Sequence, residues 1–148
     1  MPVRRYLVVA NQTLGGDRLR ERIRAAMAQG PCQFHLVVPA SHPPKGSWTD
    51  GEARALASRR LEAALASLRS LGAEVTGEVG DASPIRAIAD ALISEPALAE
   101  PYDEIILSTL PAGVSRWLHQ DVVHRVERIF AVPCTHIVSE PDPAEVAP

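Results

Sequence analysis

Short apolar runs alternate along the chain with stretches of helical periodicity, and that alternation limits the fold more than any other feature. The runs are Arg5 to Ala10 (RYLVVA), Phe34 to Val38 (FHLVV), Glu74 to Val79 (EVTGEV), Ile105 to Leu107 (IIL) and Cys134 to Val138 (CTHIV). Runs that are apolar without a break suit strands buried on both faces of a parallel sheet. Between them, apolar residues recur three and four positions apart: Leu19, Ile23, Ala26 and Met27; then Leu56, Leu61, Ala64, Leu65 and Leu68; then Ile85, Ile88 and Leu92; then Val122, Val123, Val126, Ile129 and Phe130. That spacing lays one apolar stripe along a helix. The order β-α-β-α-β-α-β-α-β predicts a doubly wound parallel sheet with helices on both faces and right-handed crossovers.

Local signals punctuate these segments. Asp17 is placed to cap the first helix, and Gly30-Pro31 ends it. Thr49 and Glu52 have capping-box spacing, and Gly72 follows the second helix as its C′ residue. Ser83 caps the third helix with Pro84 at its first position, and Asp121 is placed to cap the last. Residues Ser108 to Gln120 read as irregular.

With 148 residues the chain is expected to fold as one domain over residues 1–139, followed by a flexible tail, EPDPAEVAP, over 140–148. Its net charge of −3 and its lack of a basic tract argue against nucleic acid as a partner. No apolar run approaches the roughly 18 residues a membrane helix needs. The opening MPVRRYLVVA is too short for a signal peptide and runs straight into a strand. Cys32 and Cys134 do not make a disulfide framework, so a reducing cytoplasm is the expected compartment. Arg18, Arg20, Arg22 and Arg24 in the first helix read as a solvated face rather than a docking site for an anion.

In such sheets ligands sit at the carboxyl ends of the strands, where the strand order reverses. With the first strand central, that crevice falls between Ala10 to Gly16 and Ser108 to Gln120. The third run alternates, with Val75, Gly77 and Val79 on one face, which suits a sheet edge.

Over Arg5 to Val138 the chain resembles the universal stress protein family. The resemblance rests on element order, on Gly80, Asp81, Ser83 and Pro84 leading into the third helix, and on Ala131-Val132-Pro133-Cys134 entering the last strand. It implies a five-stranded parallel sheet of order 3-2-1-4-5. Members of that family that bind ATP carry G-x2-G-x9-G-(S/T) after the fourth strand. The spacing survives here, but Ser108, Pro111 and Asp121 stand at the glycines and Val122 at the Ser/Thr. Pro111 removes a backbone donor. Asp121 sets a carboxylate where phosphate would rest, and its side chain is placed to satisfy the helix N–H groups that phosphate needs. Two like charges about 4 Å apart repel by roughly 4 kcal/mol at intermediate dielectric.

The pocket positions implied are Asn11, Val38, Ser108, Thr109, Pro111 and Asp121. Asn11 stands where ATP-binding members have Asp, and it retains the capacity to hydrogen-bond a base or ribose. Arg116 reads either as a compensating charge or as a solvated loop residue. No cofactor is expected, with ATP or another adenine nucleotide disfavoured.

Other patterns carry less. Gly113 to Trp117 lacks the last glycine of a nucleophile elbow, so Ser115 is not read as a nucleophile. His119 and His124 miss the i,i+4 spacing of helical metal ligands, and Cys134 with His136 is too small a set. Trp117, in a loop, covers a pocket or a partner surface, or simply packs. The fifth strand, Cys134, Thr135, His136, Ile137 and Val138, has no formal charge when His136 is neutral, whereas Glu74 and Glu78 guard the other edge. A homodimer through the fifth strand is therefore expected, as is common in the family. The functional expectation is a non-enzymatic homodimer with a regulatory or protective role, serving an unidentified protein or small-molecule partner. The alternative is a divergent nucleotide-binding module using the crevice.

Overall fold

The structure, a computed structural model, describes residues 2–43, 46–94, 101–111, 115–119 and 121–139. The strands are β1 (Arg4–Val9), β2 (Cys32–Pro39), β3 (Val75–Gly80), β4 (Glu104–Thr109) and β5 (Cys134–Val138). The helices are α1 (Asp17–Gln29), α2 (Asp50–Ser70), α3 (Pro84–Leu92), a short α4 (Arg116–His119) and α5 (Val122–Ile129). All strand pairs are parallel, in the order β3-β2-β1-β4-β5. The chain is thus an α/β doubly wound sheet of the expected order. The tail over 140–148 lies outside the described residues.

Side-chain alternation along β1 builds two cores. Tyr6, Val8 and Ala10 face α1 and α2, meeting Leu19, Ile23, Leu61 and Leu68. Leu7 and Val9 face the other way, toward Ala87 and Ile88 of α3 and Val122 and Val126 of α5. Both faces of β1 and β4 are covered, which is why those strands carry no polar alternation. Tyr6 stacks on its register partner Phe34 with ring centroids 5.2 Å apart.

Helix α2 lies close on β3. A Cβ on Gly77 would come within 2.5 Å of Leu61 Cδ1 and 3.2 Å of the Leu36 carbonyl oxygen, so glycine is what admits the helix here. The residues α2 buries are Ala53, Ala57, Leu61, Ala64 and Leu68, whereas Leu56 and Leu65 of the expected stripe are half-buried. Small side chains on the inner face allow that approach.

The caps fall mostly as expected. Thr49 and Glu52 form a reciprocal capping box, with the Thr49 hydroxyl accepting from Glu52 N at 3.0 Å. Ser83 caps α3 ahead of Pro84, and Gly72, at φ +90°, follows α2. Two caps differ. Gly16 occupies the N-cap of α1 and makes no side-chain bond; Asp17 lies inside the first turn, where its charge favours the helix dipole instead. Asp121 precedes α5 in the left-handed region at φ 56°, and its side chain makes no cap.

The arginine face of α1 is also less solvated than expected. Arg22 donates to Glu104 Oε2 at 2.9 Å and lies over the Tyr6 ring, and Arg20 donates to the Ser67 hydroxyl on α2. Glu104 in turn accepts from Thr135 Oγ1 at 2.9 Å, so one carboxylate ties α1, β4 and β5 together. Among the described residues no helix is long and apolar enough to cross a membrane.

Candidate functional site

A cavity of about 270 Å³ opens at the carboxyl ends of β1, β2 and β4, in the crevice the strand order predicts. Asn11, Gln12 and Thr13 line it from the turn after β1, and Ser41, His42 and Pro43 from the loop after β2. Ser108, Thr109 and Leu110 line it from the end of β4, with Ser115 and Trp117 from the α4 region and Arg60 from α2. No carboxylate is among these lining residues.

Asn11 is buried, and both ends of its amide are engaged. Its Nδ2 donates to the Pro39 carbonyl at 2.8 Å, and its Oδ1 accepts from Arg60 Nη1 at 2.6 Å. It therefore clasps the end of β2 to the turn after β1 and holds the Arg60 head at the cavity wall. The expected contact between Asn11 and a base or ribose would have to share these partners.

The buried hydroxyls of Thr13 and Ser108 lie 2.6 Å apart and join the two loops across the crevice. Thr109 Oγ1 bonds His136 Nε2 on β5 at 2.8 Å. Burial pushes the His136 imidazole below its usual 6.5, against the weaker pull of the Glu127 charge.

Of the expected pocket positions, Asn11, Ser108 and Thr109 line the cavity, and Val38, Pro111 and Asp121 do not. Val38 is fully buried in the core, because β2 runs on through Pro39, and the cavity begins at Ser41. Pro111 accepts from Ser115 N at 3.1 Å. The Asp121 carboxylate turns to His124 Nδ1 at 2.7 Å and stands 3.7 Å from Arg128 Nη2, so it neither caps α5 nor enters the cavity. The expectation that its side chain caps α5 is corrected accordingly.

The short helix α4 lies inside the stretch read as irregular, and Trp117 sits on it rather than in a loop. Trp117 is buried, lines the cavity and packs in the second core. The Ser115 hydroxyl accepts from Leu118 N at 3.1 Å, as a helix-capping serine does. The side chains of Arg116 and His119 lie outside the described residues.

Sequence reasoning missed Arg60, Thr13, Ser41 and His42. Thr13 lies in a loop the crevice argument already named. Arg60 is 49 positions from Asn11 and carries no local signal. Among the described residues no group of three or more His, Cys, Asp or Glu side chains is placed to hold a metal ion.

Comparison with family models and with curated proteins gives no match for this chain.

Proposed function

We propose that the chain is a non-enzymatic binding module of the universal-stress-protein type, a homodimer with a regulatory or protective role that does not hold ATP in that family's manner. One observation carries this reading: among the described residues after β4, three backbone donors are committed within the protein. Ser115 N donates to Pro111 O, Leu118 N to Ser115 Oγ, and Asp121 N to Leu118 O, at 3.1 Å each. A triphosphate is received by a cluster of unengaged backbone N–H groups. Here those donors would have to break existing bonds first.

The site chemistry also favours binding over turnover. The Ser108 and Thr13 hydroxyls satisfy each other, and Ser115 serves as a cap. The second reading, a divergent nucleotide-binding module, draws its support from Arg60 standing among hydroxyls at the cavity wall. A thermal-shift series with ATP, ADP, AMP and cyclic nucleotides, each with Mg²⁺, separates the two. A ligand at 100 times its Kd stabilises by about 2.7 kcal/mol. No rise with ATP is expected, and a clear rise would favour the second reading.

The homodimer rests on the sheet edge. β5 carries no formal charge while His136 is neutral, which its burial favours, and Val138 is exposed there. Exposed Glu78 sits on the opposite edge, with Glu74 just before it. An uncharged open edge invites pairing. Ile137 packs against the core, so Val138→Lys is the cleaner probe. Light scattering should show a dimer in the native chain and a monomer in that variant; a monomeric native chain would remove the dimer from the proposal.

A further inference from the structure

Among the described residues β5 is an outer strand of the sheet, and its backbone shows which groups are left for a partner. Pro133 O accepts from Ile105 N at 2.8 Å, and Ser139 N donates to Thr109 O at 2.9 Å. In a parallel ladder alternate residues turn their N–H and C=O to the same neighbouring strand. Pro133, Thr135, Ile137 and Ser139 therefore turn toward β4, and Cys134, His136 and Val138 turn away from the sheet. The Val138 carbonyl agrees with this, since it accepts from Arg18 Nη1 on α1 at 3.3 Å.

The three outward residues are spaced evenly about His136, the middle residue of Cys134–Val138. Two copies of β5 running antiparallel across a two-fold axis overlap fully only when that axis passes His136. Cys134 then stands opposite the partner's Val138, and His136 opposite the partner's His136. In such a hydrogen-bonded pair the Cα atoms are about 5.5 Å apart, and both side chains lie on one face of the joined sheet. We infer that two copies pair in this register, so that the interface holds while both His136 side chains are neutral and loosens in acid, when like charges face each other across the axis. This rests on the homodimer reading and adds its regulation.

The surroundings of His136 set the direction of the response. On β4, Thr109 Oγ1 bonds its Nε2 at 2.8 Å. Cys134, two residues earlier and so on the same face of β5, packs in the second core, and burial keeps its thiol protonated. From α5, Glu127 pulls the imidazole toward protonation, but burial outweighs it and keeps the group neutral at pH 7. The same helix carries Arg125, with His124 and Arg128 drawn to Asp121. The other face of β5 meets α1, whose Arg18 holds the Val138 carbonyl and whose Arg22 is engaged by Glu104 of β4. A second imidazolium across the axis penalises the charged form in the dimer alone. The monomer therefore binds more protons, and acid favours it.

The test is sedimentation equilibrium of the full chain at about pH 7.5 and about pH 5.5, on either side of the ordinary histidine value, with intermediate points and circular dichroism at each. The dimer Kd should be at least tenfold higher at the lower pH. His136→Gln keeps a polar partner for Thr109 and takes up no proton, so its Kd should change less than threefold. Glu127→Gln, at an exposed position, removes the charge that favours protonation, so its dissociation midpoint should move to lower pH. A native dimer with the same Kd at both pH values would overturn the inference and leave the dimer standing. So would acid dissociation of His136→Gln like that of the native chain, an unmoved midpoint in Glu127→Gln, or dissociation that comes only with loss of helical signal. If His136→Gln fails to fold, the Glu127→Gln midpoint decides alone. A native chain that is monomeric at both pH values would remove the dimer reading and this inference with it.

Discussion

The hydroxyls of Thr13 and Ser108 meet 2.6 Å apart, joining the turn after β1 to the end of β4. Both residues are almost wholly buried, so neither hydroxyl has water as a ready alternative. Removing one strands the other. Ser108→Ala should therefore lower stability by about 1–3 kcal/mol, the cost of a buried unsatisfied group. The double variant Thr13→Val with Ser108→Ala should lose less than the sum of the single changes. Urea unfolding of the four proteins gives the coupling directly, and strict additivity would show that the hydroxyls do not depend on each other.

Two glycines should respond to alanine with opposite signs. At Gly80 a Cβ would stand 2.8 Å from Ala87 Cβ and 3.1 Å from Val37 Cγ1, neither of which can swing away. Gly80→Ala should cost about 1–3 kcal/mol through overpacking of α3 on the sheet. At Gly51, in the first turn of α2, the nearest atom is Thr49 Oγ1 at 3.9 Å. Gly51→Ala should stabilise by up to about 1 kcal/mol by restricting the unfolded chain and favouring helix. Thermal and urea midpoints of the two variants should move apart.

Glu104 is a carboxylate, largely withdrawn from water, that receives Arg22 and Thr135 at 2.9 Å each. Arg4 stands 3.7 Å away. Glu104→Gln keeps the shape and removes the charge. It should cost about 1.5–3 kcal/mol, the range for hydrogen bonds to charged groups, and the loss should shrink as salt is added. Equilibrium unfolding at low and high ionic strength would show both effects.

His136 gives stability a pH dependence whose sign follows from its environment. Burial lowers its folded-state pKa below 6.5, so between the two values the unfolded chain binds more protons. Its contribution is full above about 6.5, the unfolded value, and is lost as pH falls through the folded value. Native stability should fall between pH 7 and pH 5 more steeply than that of His136→Gln. Parallel profiles for the two proteins would show that His136 is not the group responsible.

Cys134 should be a poor nucleophile. Burial, with help from Glu127 and Glu104, pushes its thiol up to about 11, and burial raises Cys32 as well. At pH 7 only about one Cys134 in ten thousand is thiolate, and the thiolate is the reactive form. Both cysteines should label with iodoacetamide far more slowly in the native chain than in urea. Rapid native labelling of Cys134 would mean that the β5 edge opens.

The parts of the fold legible in the sequence are those where burial leaves a local mark. β1 and β4 read as unbroken apolar runs because both faces of each are covered. The Thr49–Glu52 box and Ser83 with Pro84 are legible because a cap is a contact between near neighbours. Helix α2 was legible as a helix but not in its inner face. Counting leucines selects Leu56 and Leu65, whereas close packing on β3 buries Ala53 and Ala57.

The site divides along the same line. Alternating strands and helices determined the parallel sheet, and with it the end of the sheet at which a crevice opens. That follows from chain connectivity and side-chain period alone. The sequence also places Ser108, Pro111 and Asp121, rather than glycines, after β4. What lines the crevice was decided by tertiary structure. Asp121 reads as a capping carboxylate, yet a left-handed backbone turns it to His124. Arg60 reads as one more charge on a helix, yet the packing of α2 on the sheet brings it 2.6 Å from Asn11. Periodicity says which side of a helix faces inward, but where along the sheet that helix comes to rest depends on contacts between residues far apart in the chain.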